Sequence, residues 1–144
     1  MIPRLLVTQV GESVKPWYGR AGNATDTARC IREHTSIEKE ACEVFIALLL
    51  DVRYRVLGWQ EISRGSLAAT LVHPREVFKA ACVMNAACVI VAHNHPSGNP
   101  TPSAEDYAVS ERLAKAGNIL GIELLDHIVV CEHAHASAMR REGT

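Results

Sequence analysis

Residues 86–106, AACVIVAHNHPSGNPTPSAED, decide how this chain is built and point to its chemistry. The first part, 86–92, is an unbroken apolar run and reads as a buried strand. Side chains two apart on a strand share a face, so His93 and His95 present both imidazoles to one point while Asn94 faces away. A loop full of Pro and Gly then turns the chain back. Ser103 is a good N-cap, and Asp106 falls in the first turn of the helix it opens, from which a carboxylate can reach the same point. Two imidazoles and one carboxylate suit zinc. Structural zinc sites usually close with four protein ligands, whereas catalytic sites use three and leave the fourth position to a water made acidic by the metal. His93, His95 and Asp106 are thus the candidate ligands, and Zn2+ is the candidate cofactor.

A plainer reading stands beside this one. Ser103-Ala104-Glu105-Asp106 is also a capping-box pattern, with Ser as N-cap and an acidic residue at N3 reaching back to its amide. The two readings are compatible, because a carboxylate has two oxygens. His133-Ala134-His135 repeats the His-x-His spacing, but it lies in a polar C-terminal segment without a matching carboxylate and reads as surface histidines or an adventitious metal clip. His127 is expected to be buried and paired with Asp126. His73 flanks a helix start, and His34 marks an exposed helix end.

Outward from the central stretch, a mixed sheet flanked by helices is expected. Helical spacing runs over 25–34 through Ala28 and Ile31, and Thr35-x-x-Glu38 offers a capping box for a second short helix. Strands are expected over 44–51, 56–62, 67–72, 88–92 and 123–130. Pro74 opens a helix at its favoured first position, with Val77, Phe78, Ala81 and Cys82 on one face. A second long helix spans 103–116, and Gly117 is placed to end it. Residues 1–22 read as a loosely attached N-terminal arm, in which 5–7 are apolar enough to add an edge strand, and 23–144 as the folded domain.

The order His-x-His, seven residues, Ser, two residues, Asp is the signature of the JAMM (MPN+ or JAB) metalloproteases, and it is intact here. The words HNHPSGNPTPSAED, HPREVFKAACVMNAA and LLDHIVV resemble more narrowly the RadC family, whose C-terminal domain is JAMM-like; the resemblance covers roughly residues 18–143. It implies an α/β fold, a cytidine-deaminase-like JAMM/MPN sandwich, and a zinc-dependent hydrolase acting on a peptide or isopeptide bond. It also implies a carboxylate at the start of an earlier apolar strand, in the pattern Glu-x-Phe, which Glu43-Val44-Phe45 matches. In the family that Glu is the general base and Ser103's counterpart steadies the oxyanion. Taken alone, a Glu at a strand start is usually a solvated end, and Glu38, Glu40 and Glu61 compete with it. Asn99 stands where relatives often have Asp, and Ser110 where Thr is common; neither is a ligand.

Composition bounds the alternatives. A chain of 144 residues can bury one sizeable core, and 15 basic against 16 acidic residues argues against a dominant nucleic-acid surface, leaving at most a local patch around Arg53, Arg55, Arg64 and Arg75. A RadC-like DNA repair or DNA-binding factor with a structural zinc is the second hypothesis. The letters HNH at 93–95 do not make a nuclease, whose motif is spread over separate elements, and a non-haem iron site is outweighed by the JAMM words. Five cysteines without a Cys-x-x-Cys pair, with Cys42, Cys82 and Cys88 read as core thiols, indicate a reducing, cytoplasmic setting. No apolar run is long enough for a membrane span. The expected partner is a protein or peptide substrate, presented in many JAMM-like domains by another protein; the sequence sets no oligomeric state.

Overall fold

Two strands made almost wholly of apolar residues form the middle of the molecule. In chain order the elements are β1 (Trp17–Arg20), α1 (Ala24–His34), a 3-10 turn (Ile37–Lys39), β2 (Glu43–Leu50), β3 (Arg55–Gly65), α2 (Pro74–Val83), β4 (Cys88–Asn94), α3 (Ala104–Leu120), β5 (Glu123–Val130) and β6 (His135–Ser137). The computed structural model describes residues 2–4, 17–20, 23–65 and 72–139. The sheet is six-stranded, in the order β1-β3-β2-β4-β5-β6. Among the described strands only the β4–β5 pair is parallel, and α3 makes the crossover between them. The expected α/β class with a mixed sheet is the one found.

β2 and β4 lie side by side in the centre and are buried on both faces, which is why neither shows hydrophobic alternation. Phe45, Ala47, Leu49, Val89 and Val91 pack on one face against Val77, Phe78 and Ala81 of α2 and Val109 and Leu113 of α3. Val44, Ile46, Leu48, Ile90 and Ala92 pack on the other against Ala28 and Ile31 of α1. By the same alternation His93 belongs to the face covered by α2 and α3. The β2–β3 turn is set by Asp51, whose Oδ1 accepts from the amides of Arg53 and Arg55 at 2.8 and 2.9 Å while Oδ2 accepts from Arg55 Nε at 2.7 Å. Among the described residues no helix is long and apolar enough to cross a membrane.

Several expectations are corrected. Helix α3 does not stop at Gly117 but runs to Leu120, with Gly121 at φ +74° as its left-handed cap. Gly117 is buried inside the helix, where an added Cβ would collide with the Ile122 carbonyl oxygen and lie 3.2 Å from Phe78 Cζ. Its purpose is close approach. No capping box forms at Thr35: its hydroxyl bonds back to Ile31 O at 2.7 Å, ending α1, and only a 3-10 turn follows. Cys82 is exposed and Cys42 half-buried, whereas Cys88 is buried as expected. Within the expected N-terminal arm, Trp17–Arg20 supply the edge strand, paired with β3. The alternative edge at 5–7, and residues 67–71 of the strand expected over 67–72, lie outside the described residues.

Gly117→Ala should lower the unfolding free energy by about 1–3 kcal/mol through overpacking. The same change in an open helix raises it by about 1 kcal/mol, so the sign seen in urea denaturation decides between close approach and a helix stop.

Candidate metal centre

Antiparallel pairing of β2 and β4 places Phe45 opposite His93, with the two rings stacked at 6.1 Å between centroids and 17° between planes. Glu43, two residues before Phe45, lies on the same face and stands abreast of the position after β4 where His95 follows. Asn94, on the opposite face as expected, is fully buried. Its Oδ1 accepts from Val44 N at 2.7 Å, and its Nδ2 donates to Cys42 O at 2.9 Å and Glu40 O at 3.3 Å. This one amide therefore ties the start of β2 to the end of β4, fixing where Glu43 begins.

Beyond Asn94 the chain keeps its course for one more residue, as His95 N donates to Val130 O at 3.3 Å, and then turns at Gly98, which adopts φ +84°. His95 Nδ1 lies 2.9 Å from the Asn99 carbonyl, which can only accept, so Nδ1 carries the hydrogen and Nε2 of the neutral ring keeps its lone pair. On the other side of the loop Ser103 caps α3. Ser103 Oγ accepts from Asp106 N at 3.1 Å, and Asp106 Oδ2 accepts from Ser103 N at 2.8 Å. The capping box and the ligand reading thus coexist: the cap orients the carboxylate.

The three side chains converge. His93 Nε2 and His95 Nε2 are 3.0 Å apart, Asp106 Oδ1 is 3.2 Å from the first, and Asp106 Oδ2 is 3.3 Å from the second. A tetrahedral ion bonded to nitrogen and oxygen at about 2.0–2.1 Å separates its ligand atoms by about 3.3 Å, so the spacing fits. Among the described residues this is the group of His, Cys, Asp and Glu that can hold a metal ion. Burial pushes the Asp106 carboxyl up, but the close approach of His93, the Ser103 amide and the neighbouring His95 outweigh that and hold it well below the usual carboxylate range. It is an anion, as a ligand must be. The group opens into a cavity of about 300 Å³ lined by Glu43, His95, Pro96, Ser97, Ser103, Glu105 and Asp106. All five residues singled out in the sequence are brought to this one place.

The sequence model of the RadC-like JAB domain family matches residues 22–144. The chain belongs to that family. Its curated relatives include the UPF0758 proteins of Methanosarcina mazei, 44% identical over 76% of this chain and 48% of that protein, and of Symbiobacterium thermophilum, 48% identical over 75% and 44%. The UPF0758 protein of Caldanaerobacter subterraneus is 52% identical over 61% of this chain and 38% of that protein. The RadC-like chain therefore spans a little under half the length of these relatives.

Two residues of this RadC-like site escaped the sequence reading. His127 is fully buried, but it does not pair with Asp126, whose carboxylate instead accepts from His127's own amide at 2.8 Å and from Ser137 Oγ at 2.6 Å. The His127 ring lies on the other side of β5, with Nε2 2.8 Å from His93 Nδ1 and Nδ1 2.7 Å from Ser110 Oγ. Burial, the largest cause, pushes its pKa down to about 3. The tail histidines stay apart: His133 is exposed beside Glu132, and His135 opens the short strand β6 within the segment read as polar.

Asn94→Ala should lower stability by about 1–3 kcal/mol by leaving the Val44 amide and the Cys42 carbonyl unpaired. Chemical denaturation checks it; a change within about 0.5 kcal/mol, usual for surface substitutions, would mean that Asn94 does not tie β2 to β4.

Proposed function

We propose that this chain is a zinc-dependent hydrolase of the JAMM type, cleaving a peptide or isopeptide bond of a protein substrate that a partner protein presents. The observation that carries the reading is the convergence of the His93, His95 and Asp106 donor atoms beside a cavity lined also by Glu43 and Ser103. Zinc held by these three residues would polarise the scissile carbonyl and make a water acidic near neutral pH. Glu43, on the cavity wall, takes a proton from the attacking water and passes it to the leaving amine, so that the proton removed in one step is returned in the next. Ser103 Oγ accepts from Asp106 N and still has its own proton to donate to the oxyanion of the tetrahedral intermediate.

A peptide suits the cavity better than a nucleic acid does. Glu43, Glu105 and Asp106 contribute three carboxylates to its lining, and none of the described lining residues is Lys or Arg. A phosphodiester backbone would meet like charge there, whereas binding to nucleic acid rests on clustered cations. Two of the arginines that could have formed a basic patch are engaged locally, Arg55 with Asp51 and Arg64 with Glu40 and Glu61.

Glu43→Gln should retain about one zinc per chain by elemental analysis, because Glu43 is assigned to the water and not to the ion. Hydrolysis across a panel of peptide and isopeptide substrates should fall by at least about a hundredfold. Undiminished cleavage by the variant would remove Glu43 from the reaction.

A further inference from the structure

We propose that His127, backed by Ser110, is a positioning residue for the metal centre, holding His93 in the one tautomer whose Nε2 lone pair faces the site. This rests on the reading of His93, His95 and Asp106 as metal ligands.

The argument starts at Ser110 Oγ, which lies 2.8 Å from Ala138 O, 3.1 Å from Asp106 O and 2.7 Å from His127 Nδ1. A carbonyl oxygen only accepts, and a hydroxyl has one proton. With that proton given to a carbonyl, the Ser110 oxygen accepts from His127, so Nδ1 of His127 carries a hydrogen. With its ring hydrogen on Nδ1, the fully buried His127 presents a bare Nε2, and two ring nitrogens in contact share a single hydrogen. That bare nitrogen faces His93 Nδ1 at 2.8 Å, so His93 Nδ1 is the donor. A neutral His93 then has its lone pair on Nε2, the atom 3.0 Å from His95 Nε2 and 3.2 Å from Asp106 Oδ1.

The reverse chain fails at its Ser110 end, where it would set the Ser110 oxygen against Ala138 O at 2.8 Å with no hydrogen between them. It would also put the His93 hydrogen on Nε2, 3.2 Å from Asp106 Oδ1, where that nitrogen could not take a metal. His95 reaches the same tautomer by a shorter route, through the Asn99 carbonyl. Ser110 also stands four residues after Asp106 on α3, so the relay is anchored on the helix that carries the third ligand. Partners behind a ligating histidine fix its tautomer and ring orientation, and their loss typically lowers metal affinity about 10- to 100-fold.

The test combines two measurements on the full chain. In metal-free protein at mildly alkaline pH, two-bond 1H–15N correlation spectra of 15N-labelled histidines should show both His93 and His127 in the Nδ1–H form. In competition with a chelating dye, His127→Leu should bind zinc about 10- to 100-fold more weakly, while His127→Gln, whose amide oxygen can accept from His93 Nδ1, should recover most of that loss. Ser110→Ala should weaken binding in the same direction and Ser110→Thr should not. His93 in the Nε2–H form overturns the proposal even if no variant folds. So does a folded His127→Leu that binds zinc as tightly as the unaltered chain. Absence of zinc binding in the unaltered chain overturns the metal centre itself, and the positioning role with it.

Discussion

The register of β2 against β4, with Phe45 opposite His93, is the constraint on which the site depends. Strand side chains alternate with a period of two, so a slip of one residue would send Glu43 to the face of α1 while His93 and His95 stayed on the face of α3. The proposed base and the ligands would then lie on opposite sides of the sheet. Asn94 guards against that slip. It sits between the two histidines on the opposite face, and its amide replaces the backbone ladder where β4 leaves β2. The short motif His-Asn-His thus carries two functions on alternate faces: the histidines converge on a ligand site, and the asparagine between them locks the register that brings Glu43 alongside.

Much of this was legible in the sequence because it is local. The apolar run through Ala92, the two-residue spacing of His93 and His95, and Ser103 three residues before Asp106 each state their geometry within a few positions. The position of Glu43 was legible only through the family pattern, since its neighbours Glu38 and Glu40 have the same chemistry and nothing nearby separates them. What the sequence hid is long-range. The contact of His127 with His93 joins residues 34 apart and depends on the parallel register of β4 and β5, with a bulge between Val89 and Ile90. Asp126, adjacent in sequence, was the natural partner to expect, yet adjacent strand residues point to opposite faces. Gly117 looked like a helix stop because no sequence pattern announces that the chain returns at Ile122 to press on it.

Burying polar groups so close together is costly unless each finds its partner. His93, Asn94, Asp106, Ser110 and His127 are all buried, and each is bonded to another member of the set or to a backbone group. The network spans β4, β5, α3 and the segment after β6, so the site is built into the packing of the domain and not carried on a mobile loop. Membership of the RadC-like JAB family agrees with this arrangement. This chain matches 48% and 44% of the length of two of its relatives, and the substrate proposed for the site is proposed for the domain described here.

X-ray absorption at the zinc edge of the metal-loaded chain tests the central claim most directly. The account predicts a first shell of nitrogen and oxygen at about 2.0–2.1 Å, with outer-shell scattering from two imidazoles and no more. A sulfur neighbour at about 2.3 Å, which would bring in Cys131 or another thiol, or the signature of three or four imidazoles, which would bring in His133 and His135, would contradict it.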